Sequence, residues 1–272
     1  MKVKNLTIMA IIASIFFSAS LALAGNIVIT GSTTVLPIAQ KVAEAYMSQN
    51  PDVKISISGG GSGEGIKALI DGTTNIADSS RFIKDSEIKQ AVDKGRYPVP
   101  FAIAYDCIVP VVHPSNTVVN LTVQQLKGIY KGEIKNWKEL GGPDKKIVVI
   151  SRDTSSGTYE IWEEKVMNKE KITPSALLQA SNGAIVQAVS SNQNAIGYIG
   201  IGYVDSSVKG LMVGKIKASE ETALNGSYPV HRALYMFTSG WPKGDTLNFI
   251  NFMLHPQKGQ KYVKEEGFVP LY

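Results

Sequence analysis

Arg152 and the small residues that follow it are the part of this chain best equipped for chemistry. Four β-branched residues, Ile147-Val-Val-Ile150, lead through Ser151 to Arg152 and then to Asp153-Thr-Ser-Ser-Gly-Thr158. The β-branched run predicts a buried strand, and residues 159–167 predict a helix with Ile161, Trp162 and Val166 on its apolar face. A strand that hands over to a helix through such a loop aims backbone N–H groups and hydroxyls at one point. The helix dipole biases that point toward negative charge. Arg152, at the strand end, can add a planar fork of donors. The chemistry this suits is capture of a small tetrahedral anion through Arg152, Ser156, Gly157 and Thr158. The same residues would also serve as an ordinary helix N-cap beside a surface arginine.

The pattern recurs twice upstream. A strand at 27–30 enters a helix at 35–48 through Gly31-Ser-Thr-Thr34, and Pro37 falls in the first turn, where proline is tolerated. A strand at 53–58 enters a helix at 66–70 through the glycine-rich loop 59–65, which contains Ser62. Thr33, Thr34 and Ser62 could therefore converge with the Arg152 loop on one ligand. Enzyme motifs fit the glycine loop poorly. A P-loop needs Lys-Ser/Thr after its last glycine, but Ile66-Lys67 stand there; a nucleophile elbow needs glycine where Glu64 stands. A secreted hydrolase would need Ser62 or Ser156 as nucleophile and His113 or His231 as base, and no such arrangement is recognisable in the chain order.

The elements that must position these loops alternate along the chain. Residues 75–81 end a short strand in Ser79-Ser-Arg81, a helix is predicted at 86–93, and 97–112 is a long apolar run holding Asp106 and Cys107. Further helices are predicted after Thr122 and at 183–191, a strand at 195–199, and a second long apolar run at 229–238. Two helices, 246–254 and 257–266, close the chain. Strands alternating with helices make the class α/β. The two long runs suit crossings between two lobes, one of residues 25–105 and 229–272 and one of 106–228.

Composition bounds the function. The formal charge of +5 is spread without a basic run, which argues against a nucleic-acid partner. One cysteine excludes an intrachain disulfide, and with three histidines it argues against a metal site. No cofactor motif is present. Residues 1–24 read as an export signal: Lys2 and Lys4 precede an apolar stretch that ends in Ala22-Leu-Ala24. Gly25 follows the cleavage point, so no lipid anchor is expected there.

Gly31-Ser-Thr-Thr34, Gly61-Ser-Gly-Glu-Gly65, Ser79-Ser-Arg81, Ala104-Tyr-Asp106, Asn136-Trp137, Arg152-Asp-Thr-Ser-Ser-Gly-Thr158, Ile196-Gly-Tyr198 and Gly267-Phe-Val-Pro-Leu271 occur in order along the chain. In this respect it closely resembles the periplasmic phosphate-binding proteins of bacterial phosphate ABC transporters, the PstS-like family. The resemblance implies a two-lobed periplasmic-binding-protein fold of type II and no catalysis. It implies a periplasmic monomer that encloses inorganic phosphate and delivers it to the membrane permease subunits. It also implies a phosphate site of Thr33, Thr34, Ser62, Arg152, Ser156, Gly157 and Thr158, to which Ser80 and Asp106 are added where this chain departs from the family. In the family an Asp accepts the phosphate proton and so rejects sulfate; here Ser80 holds that position. Asp106, on the first crossing, is the carboxylate expected to take over that task, with Asp78 as a second candidate. Sulfate, molybdate and tungstate remain the rival ligands.

Overall fold

The computed structural model describes residues 26–272, and the export signal expected at 1–24 lies outside them. In the first lobe β1 (Asn26–Gly31), β2 (Lys54–Gly59) and β3 (Ile76–Ser79) alternate with α1 (Leu36–Gln49), α2 (Ser62–Asp71) and α3 (Asp85–Asp93). Then β4 (Pro98–Val112) runs for fifteen residues into the second lobe. That lobe holds β5 (Asn120–Leu121), α4 (Val123–Lys131), β6 (Val148–Arg152), α5 (Gly157–Lys165), β7 (Leu177–Gln179) and α6 (Asn182–Ser190). It continues with β8 (Ala195–Gly200), β9 (Lys209–Gly210), β10 (Met212–Val213) and α7 (Glu220–Leu224). The chain returns along β11 (His231–Ser239) and closes with α8 (Gly244–Leu254) and α9 (Gly259–Glu265).

The strand order β2-β1-β3-β11-β4-β8-β6-β7 explains how one chain makes two lobes. β1 is parallel to β2 and β3, and β6 is parallel to β7 and β8, as strand–helix–strand units require. β4 joins the halves: residues 98–107 pair antiparallel with β11, and residues 108–112 pair antiparallel with β8. The apolar packing divides at the same place. Ile103 and Ala104 pack with Ile29, Val42 and Phe249 of the first lobe, whereas Cys107 and Ile108 pack with Tyr130, Trp162 and Tyr198 of the second. On the return, Val230 belongs to the second cluster and Leu234 to the first. Among the described residues no helix is long and apolar enough to cross a membrane.

Two helices at the binding loops begin two or more residues earlier than periodicity predicts. α2 starts at Ser62, within the glycine loop, because Gly61 turns the chain at φ 130°. Gly65 then lets α2 press onto β1: a Cβ there would lie 2.5 Å from the Thr30 carbonyl oxygen. These glycines thus serve a turn and a close helix–strand contact, not a free-standing amide cradle. α5 starts at Gly157, with the Ser156 hydroxyl accepting the Tyr159 amide at 3.3 Å as its N-cap.

Candidate functional site

The loop between β1 and α1 is held open by Ser32. Its hydroxyl accepts the amides of Thr34 at 3.1 Å and Val35 at 3.4 Å, leaving the side chains of Thr33 and Thr34 directed to the lobe boundary. There the Thr34 hydroxyl meets that of Thr158, 3.0 Å away across the cleft. Beside them the Ser62 hydroxyl accepts the Ser80 amide at 3.0 Å and lies 3.2 Å from the Ser80 hydroxyl. Ser32, Thr33, Thr34, Ser62, Ser80 and Thr158 are all buried.

Arg152 ends β6 and is almost wholly buried. Its backbone N–H donates to the Tyr198 hydroxyl at 3.2 Å, and Tyr198 stacks on Trp162 at 4.3 Å between ring centroids. Such a contact contributes about 0.5–1.5 kcal/mol beyond burial and fixes the strand end from which the arginine projects. Nε donates to the Gln179 carbonyl at 3.0 Å and Nη2 to the Ala180 carbonyl at 2.8 Å. Among the described residues Nη1 is buried without a hydrogen-bond partner. Burial lowers the Arg152 pKa, Asp153 opposes that shift, and Arg232 adds to the lowering. A guanidinium with two donors anchored and one nitrogen unspent is poised for an acceptor that carries charge.

Arg232, on β11, supplies a second buried guanidinium. Nε and Nη2 lie 2.8 and 2.7 Å from Asp106 Oδ2. Nη1 donates to the Thr158 hydroxyl at 3.0 Å and to the Ser80 carbonyl at 3.2 Å, and Nη2 donates to the Thr34 hydroxyl at 3.2 Å. The other Asp106 oxygen, Oδ1, accepts the Ile201 amide at 2.9 Å. Burial pushes the Asp106 carboxyl up while Arg232 and the amides pull it down; with a guanidinium at contact distance it is the ionised counter-charge of Arg232. This corrects the role expected of Asp106. Its oxygens are engaged by Arg232 and Ile201, so it stands as a structural counter-ion and not as a carboxylate free to read a ligand proton. Asp78 has no ionic partner; burial alone pushes its carboxyl well above the usual range, and Oδ1 is unpaired.

The two lobes touch on both sides of this cluster. The Gly63 amide donates to the Ser155 carbonyl at 3.0 Å, and the Ser155 hydroxyl donates to the Gly60 carbonyl at 3.3 Å. Farther out, Glu160 on α5 lies 2.8 Å from Arg81 Nε and 2.7 Å from Lys84 Nζ. Asn182, the first residue of α6, donates from Nδ2 to the hydroxyls of Thr33 at 3.2 Å and Thr34 at 3.1 Å. Tyr203 donates its hydroxyl to the Thr33 carbonyl at 2.6 Å. This is a closed arrangement, with the donors of both lobes facing one buried place.

A family model described as a PBP superfamily domain matches residues 18–257. Among curated proteins, the phosphate-binding protein PstS of Staphylococcus epidermidis (strain ATCC 12228) is 36% identical over 253 residues, covering 88% of this chain and 77% of its own. PstS of Pseudomonas aeruginosa (strain PAO1) is 33% identical over 270 residues, covering 91% and 83%. The chain belongs to the PstS family. A crystal structure from Clostridium perfringens, described as a phosphate ABC transporter substrate-binding protein with bound phosphate, is 38% identical with a TM-score of 0.85. It covers 91% of this chain and all of that one. An ABC-type phosphate transport receptor from Vibrio cholerae is 34% identical with a TM-score of 0.74, covering 89% and 99%. PstS-family membership makes this chain a two-lobed substrate-binding transport protein and not an enzyme. His113 Nδ1 bonds the Ser115 hydroxyl and His231 Nδ1 the Tyr228 carbonyl.

Of the PstS-like residues expected from sequence, the structure places Thr33, Thr34, Ser62, Ser80, Arg152, Ser156, Gly157 and Thr158 at the lobe boundary. Gly157 lies so close to Ser62 and Ser80 that a Cβ would collide with the Ser62 hydroxyl. Asp106 is there as well, in its changed role. Arg232, Asn182 and Tyr203 were not anticipated. Arg232 did carry a signal: it is the arginine of the second apolar run, and antiparallel pairing of the two crossings sets it opposite Asp106. Asn182 and Tyr203 carry none that distinguishes them from other helix-start and turn residues. Among the described residues no group of three or more His, Cys, Asp or Glu could hold a metal ion. Cys107 is buried, and its thiol is pushed up to about 12, chiefly by burial.

Proposed function

We propose that this protein captures inorganic phosphate between its lobes and delivers it to the membrane permease of an ABC transporter. It would work outside the cytoplasmic membrane as a monomer, released by cleavage of the signal at 1–24 and carrying no lipid anchor. Two observations carry the reading: Arg152, at the end of β6, keeps a buried Nη1 that has no hydrogen-bond partner among the described residues, and the hydroxyls of Thr34 and Thr158 meet across the lobe boundary. Charge-assisted hydrogen bonds in a site shut from water give a small anion high affinity. Thr33, Thr34, Ser62 and Ser80 would bind from the lobe of residues 26–105 and 229–272; Arg152, Ser156, Gly157 and Thr158 would bind from the lobe of 106–228. Closure would swing about β4 and β11, and phosphate would favour the closed form because only that form offers both sets of donors. Relatives that are phosphate-binding proteins, one of them solved with bound phosphate, support the choice of anion.

Calorimetric titration tests the reading. Phosphate should bind with one site per chain and more tightly than sulfate, molybdate or tungstate. Tighter binding of a rival anion would reassign the ligand, and no binding of any of them would remove the function.

A further inference from the structure

The hydrogen bonds around Thr34 and Thr158 fix which way each hydroxyl points. Thr34 Oγ1 is met by two groups that can only donate, Asn182 Nδ2 at 3.1 Å and Arg232 Nη2 at 3.2 Å. The orientation of the Asn182 amide is set by its oxygen, which accepts the Gly200 amide at 3.2 Å. Both acceptor positions of the Thr34 oxygen are therefore filled, and its proton must be given away. The neighbour within reach is Thr158 Oγ1, at 3.0 Å. Thr158 Oγ1 also receives Arg232 Nη1 at 3.0 Å. Its own acceptor capacity is thereby used as well, and its proton is left for an acceptor outside the protein.

We propose that Arg232, held by Asp106, is a positioning and specificity-determining residue that makes Thr158 an obligate donor and so commits the site to an unprotonated ligand oxygen at that point. The inference rests on phosphate being the ligand. A hydroxyl free to rotate accepts from a protonated oxygen as readily as it donates to a bare one. A hydroxyl whose oxygen is saturated does only the second. Monoanionic phosphate, with two protonated oxygens, then has fewer ways to sit without setting proton against proton than dianionic phosphate has. The device selects by ligand protonation without a carboxylate in contact with the ligand.

Of the buried groups near this pair, Asp78 has its carboxyl pushed well up by burial, and it is present in wild type and variants alike. Asp106 is paired with Arg232, and burial raises the phenols of Tyr198 and Tyr203 and lowers the Arg152 guanidinium. His231, next to Arg232 on β11, turns its Nδ1 to the Tyr228 carbonyl. Wild type and variants are therefore compared with His231→Gln in each, which removes it from the comparison.

The test removes the pair as a neutral unit. Arg232→Met with Asp106→Asn takes away one positive and one negative charge, keeps an oxygen for the Ile201 amide, and leaves Arg152 in place. Replacing a buried ion pair by groups of similar volume is often neutral for stability. Phosphate is titrated into wild type and variant at about pH 8 and about pH 6, on either side of the second ionisation of inorganic phosphate, which lies near neutrality. Wild type should lose roughly tenfold or more in affinity at the lower pH, and the variant's loss should be smaller by about threefold or more. A folded variant with the wild-type pH ratio overturns the proposal. Arg232→Lys covers the case in which the double variant does not fold. It keeps the charge beside Asp106 but not a fork that spans two hydroxyls, and it should show the same shrunken ratio; a wild-type ratio there overturns the proposal as well. Absence of phosphate binding in wild type at both pH values is a separate result, which defeats the assignment of the ligand.

Discussion

Replacing Glu160 with glutamine removes the charge that ties α5 to the opposite lobe while keeping the shape of the helix's first turn. In the closed form Glu160 contacts Arg81 Nε at 2.8 Å and Lys84 Nζ at 2.7 Å. The two cations are not equivalent. The Arg81 side chain is 4% exposed and the Glu160 side chain 14%, whereas Lys84 is 52% exposed and recovers water when its partner is lost. The Lys84 contact is thus worth at most about 1 kcal/mol. The enclosed Arg81 contact is close but not aligned as a hydrogen bond, so it acts through charge and contributes about 1–2 kcal/mol, most of which a neutral glutamine loses. Arg81 is not left uncompensated, because Glu87 meets its two terminal nitrogens at 2.8 and 2.7 Å. A net loss of about 1–2 kcal/mol falls on the closed form alone, so phosphate affinity should drop roughly five- to thirtyfold. Calorimetry at low and high salt separates the parts: the Lys84 share should fade with salt and the enclosed Arg81 share should persist. Glu163→Gln is the control, since its carboxylate accepts only the Tyr159 hydroxyl within its own helix, at 3.2 Å. Wild-type affinity in Glu160→Gln at low salt would refute the view that this contact helps to hold the lobes together.

Gly157→Ala should leave the free protein stable but hinder closure, because the new methyl group meets the hydroxyls of Ser62 and Ser80. Overpacking of about 1–3 kcal/mol corresponds to a loss of phosphate affinity of roughly five- to a hundredfold by titration; unchanged affinity would mean that the two loops need not approach so closely. Asp78→Asn should stabilise the fold at neutral pH. The folded carboxyl keeps its proton above the unfolded value of 3.8, so the folded state binds more protons and stability falls as pH rises, by about 1.4 kcal/mol per pH unit until the folded pKa is passed. The melting-temperature gain of the asparagine variant should therefore be clear near neutrality and vanish near the unfolded pKa; an equal gain at both would rule out the raised pKa as its cause.

The lobes and the binding loops were legible because local patterning dictates them. Residues 97–112 and 229–238 announce themselves as crossings by long, largely apolar character, and they appear as β4 and β11. Arg152 and the Ser156-Gly157-Thr158 helix start are also local, since strand, loop and N-cap lie within a dozen residues. The role of Asp106 was not legible, because it depends on Arg232, 126 residues later in the chain. A carboxylate in an apolar strand looks the same from sequence whether its partner is a ligand proton or an arginine on the neighbouring strand. Asn182 and Tyr203 fail for the same reason: they reach Thr33 across 149 and 170 residues. Short edge strands such as β7 were missed as well; it spans three residues, too few for periodicity to register.

The central claim is that a phosphate oxygen occupies the place at which Arg152 Nη1 is aimed. It is tested most directly by titrating phosphate into wild type and Arg152→Met side by side. Removing one member of a buried, hydrogen-bonded charge pair costs about 2–5 kcal/mol, so the variant should bind at least roughly thirtyfold more weakly while melting within a few degrees of wild type. Phosphate binding of undiminished affinity in folded Arg152→Met would contradict the account.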